Sequence, residues 1–177
     1  MAKKILITGS EGQLGKALQR KLSNRFKVIP TAKAASASNS DQNIQIMDIT
    51  ERGDVESTIH GLKPQIIINC AAYTDVDSSE INKRHAHLVN VVGLQNLIHA
   101  SYPDTHIIQI SSDYIFDGDA GPYAEEDHAF PINYYGKTKL EAENILRGSR
   151  RKWLIIRPNV LYSEDLLFIG NFFAWIY

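Results

Sequence analysis

The chain is poor in the features that mark several protein classes, and each shortage excludes something. Its 177 residues contain one cysteine, Cys70, so no disulfide framework can staple the fold. Cys70 ends an apolar run and has no partner cysteine; it is expected to be a buried, inert thiol. An excess of one charge is also missing. With 19 Lys and Arg against 20 Asp and Glu, the formal net charge is −1, which argues against binding a nucleic-acid backbone by counterion release. No apolar run approaches the roughly 18 residues of a membrane-spanning helix, so no membrane partner is expected. The opening MAKKILITGS offers only Ile5–Ile7 as an apolar run, too little for a secretory leader, and a cytoplasmic location is expected. No period of about 20–50 residues repeats, which removes the solenoids. The low-complexity stretch TAKAASASNSDQN, residues 31–43, reads as a connection.

What remains is an ordinary globular composition, 44% hydrophobic and 22% charged, long enough for one full core. Short β-branched runs alternate with helical stretches. KILIT, FKVIP, IQIMDI, QIIINCAA, HIIQISS and WLIIRP read as six strands. Between them, Leu14, Ala17, Leu18 and Leu22 recur at helical spacing, ERGDVESTIHGL forms a second helix, and Leu88, Val91, Val92, Gln95 and Ile98 mark one face of a longer one. A loop runs from about Ser112 to Asn133, and Tyr134–Arg147 is helical in pattern. Strand–helix–strand repetition predicts a doubly wound parallel α/β sheet of Rossmann type.

Directly after the first strand comes TGSEGQLGKAL, with Gly9, Gly12 and Gly15. Such a turn lets backbone approach a pyrophosphate, which then meets the free N–H groups and positive dipole of the helix N-terminus. A P-loop is excluded, because it would need glycine at Ser10 and a hydroxyl at Ala17. The second strand ends Thr31-Ala32-Lys33, with no carboxylate to hold a ribose 2′-hydroxyl. That favours NADP over NAD, with Lys33 a candidate for the 2′-phosphate or simply a solvated lysine.

Several candidates have plainer readings. His85 and His87 are two apart on a helix and cannot share a metal ion, so no metal site is expected. Asp75, Asp77 and Glu80 sit where acids suit a helix start. Glu125–Asp127 reads as solvated loop, and Trp153 and Trp175 as packing.

Three later stretches fall at strand ends, where such folds carry chemistry: NCAAYTDVDSSE, SSDYIFDG and PINYYGKTKLEAE. With TGSEGQLG, DIT, Val89-Asn90 and RPNVLY they lie in the order and spacing of a known family. The chain resembles the reductase branch of the extended short-chain dehydrogenases, the branch that includes dTDP-4-dehydrorhamnose reductase. The resemblance covers nearly the whole chain. It implies that Gly12, Gln13 and Leu14 cradle the pyrophosphate, Asp48 and Ile49 meet the adenine, and Ala71, Ala72 and Tyr73 line the ribose and nicotinamide. It further implies that Ser112 touches the substrate carbonyl, Asp113 and Val160 contact substrate, and Tyr135 with Lys139 forms the Tyr-x-x-x-Lys pair.

Residues four apart share a helix face, so Tyr135 and Lys139 can enter one cleft. Tyr134 plus four is Thr138, which cannot be the cation, leaving Tyr134 and Lys137 as bystanders. An ammonium close to Tyr135 would lower its pKa from about 10 toward the working range. Tyr135 would then protonate a ketone oxygen held by Ser112. The expected activity is NAD(P)H-dependent reduction of a nucleotide-linked 4-keto sugar. A relative similar to the regulatory β subunit of methionine adenosyltransferase, or an inactive fragment, is the alternative.

Two departures stand out. Rhamnose-forming members commonly read R-T-S-W where this chain reads RPNVLY, which weakens the case for dTDP-4-keto-rhamnose itself and leaves some other nucleotide-linked 4-keto sugar open. Members also continue well past this length. Residues 1–163 are expected to form the NAD(P)-binding domain. Residues 164–177 are an apolar tail with Leu166, Leu167, Phe168, Ile169, Phe172, Phe173, Trp175 and Ile176, the start of a missing or truncated substrate lobe. Uncovered, such a tail predicts a homo-oligomer.

Overall fold

The computed structural model describes residues 2–34 and 44–162. Its elements run β1 (Lys4–Thr8), α1 (Gln13–Leu22), β2 (Lys27–Ala32), β3 (Gln45–Ile46), α2 (Arg52–Leu62), β4 (Ile66–Asn69), α3 (Val76–Ile81) and α4 (Lys83–His87). A π-helical turn (Leu88–Val92), α5 (Gly93–Ala100), β5 (His106–Ile110), a 3₁₀ turn (Asp113–Ile115), α6 (Tyr134–Gly148) and β6 (Lys152–Ile156) complete the order. All six strands are parallel in the order β3-β2-β1-β4-β5-β6. The doubly wound sheet read from the sequence is the observed fold. Its order reverses between β1 and β4, and in such sheets ligands settle beside that point, at the carboxyl ends of the strands.

The middle of β1, Ile5–Ile7, is apolar because both its faces are covered. Leu6 joins Met47, Ile49, Val55, Ile59, Ile67 and Leu97 on one side, while Ile5 and Ile7 meet Ile68, Leu18, Leu22 and Phe26 on the other. At the far edge the pattern changes, and Trp153, Leu154 and Ile156 of β6 stay exposed. Trp153 is edge packing, with the Arg147 guanidinium 5.4 Å from its ring centroid.

Four expectations need correction. β4 stops at Asn69 rather than Ala72, because side chains take over the backbone there. The Ala71 N–H donates to the Thr8 hydroxyl (3.1 Å) and the Tyr73 N–H to the Asn90 amide oxygen (2.8 Å). β3 keeps only two of its six expected residues. Ala17, placed on the inner face of α1, is exposed. In the long helical region the buried face is Val91, Leu94, Leu97 and Ala100, not the one running from Leu88 through Gln95 to Ile98. The fully buried positions Ala86, Asn90, Leu94 and Leu97 keep helical spacing straight through the π-helical turn, while Leu88, Gln95 and Ile98 are half-buried.

Asp75 caps α3, accepting from the Ser78 N–H at 2.8 Å. Among the described residues no helix is long and apolar enough to cross a membrane, and no group of three or more metal-ligating side chains gathers. The tail expectation (164–177), Trp175 and most of the 31–43 connection lie outside the described residues.

Candidate functional site

A cleft of about 980 Å³ opens over the carboxyl ends of β1, β4 and β5. Every residue nominated from the sequence for cofactor or substrate lines it. At one end is the glycine turn. Gly9 has φ +59°, and a side chain there would strike the Ala71 backbone at 2.7 Å. A Cβ on Gly15 would lie 2.4 Å from the Gly9 carbonyl oxygen, so the turn closes only with glycine at both places. Gly12 then caps α1 with no side-chain hydrogen bond. The start of α1, with its N–H groups and positive dipole end, borders the cleft, which suits an anionic group. This end fits a dinucleotide pyrophosphate.

Further along, Asp48 accepts from the Thr50 N–H (2.9 Å) and hydroxyl (2.8 Å). Its carboxylate also lies 2.9 Å from the Lys33 ammonium. Burial works against the Asp48 charge, and the Lys33 and Thr50 bonds overcome it, holding the carboxyl below its usual value. Lys33, a candidate for a 2′-phosphate, is thus paired with protein here. Cys70, expected to be buried, instead borders the cleft half-buried, and desolvation pushes its thiol up to about 12.

At the other end Ser112, Asp113, Tyr135 and Lys139 come together. Ser112 caps the 3₁₀ turn, accepting from the Tyr114 N–H at 3.2 Å. Asn133 caps α6 by accepting from the Gly136 N–H at 2.7 Å. Gly136 is needed because a Cβ there would lie 2.1 Å from the Tyr114 carbonyl oxygen. That close approach sets the Tyr114 ring edge-on to Tyr135, with centroids 5.8 Å apart at 80°. Tyr134 stands aside: its N–H donates to Glu80 at 2.6 Å and Lys83 sits over its ring. Lys137 is exposed. The doubled tyrosine and lysine thus separate as the spacing requires.

The electrostatics differ from expectation in one respect. Lys139 is buried and donates to the Ile110 carbonyl at 2.7 Å, with its nitrogen 6.0 Å from the Tyr135 ring centroid. Burial lowers its pKa to about 8 against the pull of Glu143. The Tyr135 phenol is raised, not lowered. Burial is the main cause, Asp113 and Tyr114 add to it, and the Ser112 hydroxyl opposes.

Buried polar residues that spacing did not single out hold this end in place. Asn90, in the π-helical turn, brackets the Tyr73 backbone and donates to the Thr138 hydroxyl at 2.9 Å. Thr138 in turn donates to the Tyr135 carbonyl at 2.7 Å. Beneath the cleft, Thr8 donates to Asn69 (2.6 Å) and Asn69 to Gln109 (2.8 Å), a polar row across β1, β4 and β5. Polar residues inside otherwise apolar strands are the signal that could have found that row.

A family model described as the RmlD substrate binding domain matches residues 3–175. The chain belongs to that family. Similar RmlD-type chains include a dTDP-4-dehydrorhamnose reductase of Aggregatibacter actinomycetemcomitans, 37% identical over 165 residues, covering 91% of this chain and 52% of that protein. The methionine adenosyltransferase 2 subunit beta of Xenopus tropicalis is 34% identical over 164 residues, covering 92% and 48%. Among solved structures, dTDP-4-dehydrorhamnose reductase from Bacillus anthracis in complex with NADP superposes with a TM-score of 0.86 at 32% identity, covering 99% of this chain and 59% of that one. The chain spans about half the length of the curated relatives it matches.

Proposed function

We propose that this chain is the cofactor-binding and catalytic part of an NADPH-dependent reductase acting on a nucleotide-linked 4-keto sugar. The observation that carries this reading is the convergence of Ser112, Tyr135 and Lys139 on the same cleft that the start of α1 and its glycine turn border. The dTDP-4-dehydrorhamnose reductases among its relatives support the substrate class, and the NADP in the Bacillus anthracis protein supports the cofactor.

In this reading the backbone of Gly9, Gly12, Gln13, Leu14 and Gly15 holds the pyrophosphate. Asp48 and Ile49 flank the adenine, and Ala71, Ala72 and Tyr73 wall the ribose and nicotinamide side. Bound there, NADPH would supply a hydride to the carbonyl carbon. The Ser112 hydroxyl donates to the carbonyl oxygen and fixes it. Tyr135 gives that oxygen its proton, and burial keeps the phenol loaded for the purpose. Lys139 is an ammonium at neutral pH and offers cationic hydrogen bonds on the Tyr135 side of the cleft. Asp113 and Val160 face the sugar. Residues 1–163 act as the NAD(P)-binding domain, and 164–177 begin the substrate lobe.

A second reading, a cofactor-binding subunit that serves a partner enzyme, is favoured by the methionine adenosyltransferase 2 subunit beta relatives. One comparison separates the two. With the longest available reading frame and a panel of nucleotide-linked 4-keto sugars, ketone-dependent NADPH oxidation that Tyr135→Phe abolishes, with NADP⁺ affinity retained, supports the reductase. NADP⁺ binding with no turnover on any panel member sinks it in favour of the second.

A further inference from the structure

Beside the cleft lies an ion pair, buried at Glu143 and partly buried at Arg157, that the proposed chemistry does not use. Glu143 lies one helical turn beyond Lys139 on α6 and is fully buried. Its carboxylate accepts two parallel bonds from Arg157, from Nε at 3.0 Å and Nη2 at 2.7 Å, with Arg147 more distant at 3.6 Å. Burial opposes the Glu143 charge, but the Arg157 bonds outweigh it and hold the carboxyl below its ordinary range.

Arg157 does more than neutralise Glu143. Its third nitrogen, Nη1, donates to the Glu125 carbonyl at 2.9 Å, and its guanidinium carbon sits 5.4 Å from the Phe116 ring centroid. Phe116 stacks flat on Tyr123, with centroids 4.4 Å apart at 2°. The Tyr123 hydroxyl donates to Asp117 and accepts from the Ala120 N–H. The residues flanking Arg157 receive the active-site strand end: the Ser111 N–H donates to Ile156 O at 2.7 Å, and the Asp113 N–H to Pro158 O at 3.3 Å. Arg157, just past the end of β6, therefore ties α6 to the loop after Ser112–Asp113 through one guanidinium.

A well-packed apolar pair would cost less than a buried ion pair if filling space were the only need. What an apolar pair cannot do is bind a carboxylate, a carbonyl and a ring face at fixed angles, which the planar guanidinium fork does. We propose that the Glu143–Arg157 pair is a positioning clasp that fastens the Phe116–Glu125 loop and the Pro158–Val160 wall to the helix carrying Tyr135 and Lys139. It thereby sets the shape of the end of the cleft that Ser112 and Asp113 line. Its effect on turnover rests on the reductase reading; the clasp itself does not.

The test is amide hydrogen exchange on the full reading frame, with NADP⁺ affinity measured in parallel. Arg157→Lys keeps the charge and loses the fork. Exchange across residues 113–125 should rise about tenfold or more, while NADP⁺ affinity stays within about twofold because the clasp lies away from the glycine turn. Val55→Ala, a core truncation in α2, should lower overall stability without singling out that loop. If Arg157→Lys does not fold, Phe116→Leu decides, since it removes the ring lid and leaves the ion pair. Loop exchange unchanged in the variant that folds, or raised equally by Val55→Ala, overturns the clasp. Where the wild type reduces a keto sugar, Arg157→Lys should raise the sugar KM about tenfold with a smaller change in kcat, and a KM unchanged overturns the substrate-side role. A wild type that turns over no keto sugar counts against the reductase reading alone, because the exchange result is read independently of turnover.

Discussion

The two ends of the cleft are built from different materials. The end at β1 and β4 is backbone: a glycine turn, a helix start and a chain brought close because Gly9 and Gly15 carry no side chain. The end at β5 and α6 is side chain: a buried lysine, a buried glutamate, an arginine fork and a tyrosine ring packed on another. Backbone donors bring no ionisable groups and change little with pH. Buried side-chain charge costs desolvation and titrates. The first end suits a ligand held alike before and after reaction, and the second suits a place where a proton must move.

That contrast can be broken from either side, and the largest effect belongs to the side-chain end. Tyr135→Phe should cut ketone-dependent NADPH oxidation by about 10²–10⁴-fold with NADP⁺ binding retained, as read by steady-state kinetics beside fluorescence titration. Glu143→Gln comes next, leaving the partly buried Arg157 without its counter-charge. A loss of about 3–5 kcal/mol in urea unfolding is expected, and a loss below about 1 kcal/mol would mean that solvent already screens the pair. Gly15→Ala attacks the backbone end. It should cost about 1–3 kcal/mol and weaken NADP⁺ binding more than any change to kcat.

A pH comparison is subtler. Below about pH 8 Lys139 is charged both folded and unfolded; above it the folded chain sheds the proton first, its pKa being about 8 against an ordinary 10.5. The unfolded state then binds more protons, so Lys139 contributes stability that rises with pH from about 8 toward 10.5. Cys70, whose thiol is raised from 9.0 to about 12, acts in the opposite sense above pH 9. Below about pH 9, where Cys70 stays a thiol folded and unfolded, the difference between wild type and Lys139→Met reports mainly on the lysine. The stability advantage of Lys139→Met should be largest at pH 7 and shrink by about pH 9; a constant difference would show that burial does not shift the lysine. The smallest effect is expected from Lys33→Ala, a few-fold loss of NADP⁺ affinity against NAD⁺, because Lys33 is exposed and shares Asp48.

The same contrast explains what the sequence could show. A backbone-built site writes itself locally: Gly9, Gly12 and Gly15 lie within one turn directly after an apolar strand, so spacing alone nominates them. Tyr135 and Lys139 were legible for the same reason, being four apart on one helix. Arg157 and Glu143 are fourteen residues apart on different elements, and Asn90 is 48 residues from Thr138. No periodicity links such pairs, so they emerged only once the chain was folded. The phenol also went the other way from expectation, since spacing places a cation near Tyr135 but cannot say how completely the ring is buried.

The π-helical turn at Leu88–Val92 has a consequence for how this chain tolerates change. Its information is carried by residue count as much as by residue identity. Deleting one residue there would allow an uninterrupted α-helix, locally the more regular structure, yet would swing α5 by about 100° relative to α4. Either Asn90 would leave Tyr73 and Thr138, or Leu94 and Leu97 would leave the core. A point substitution in this stretch is graded, whereas a one-residue deletion is all-or-none, making it a tightly length-constrained segment of the chain.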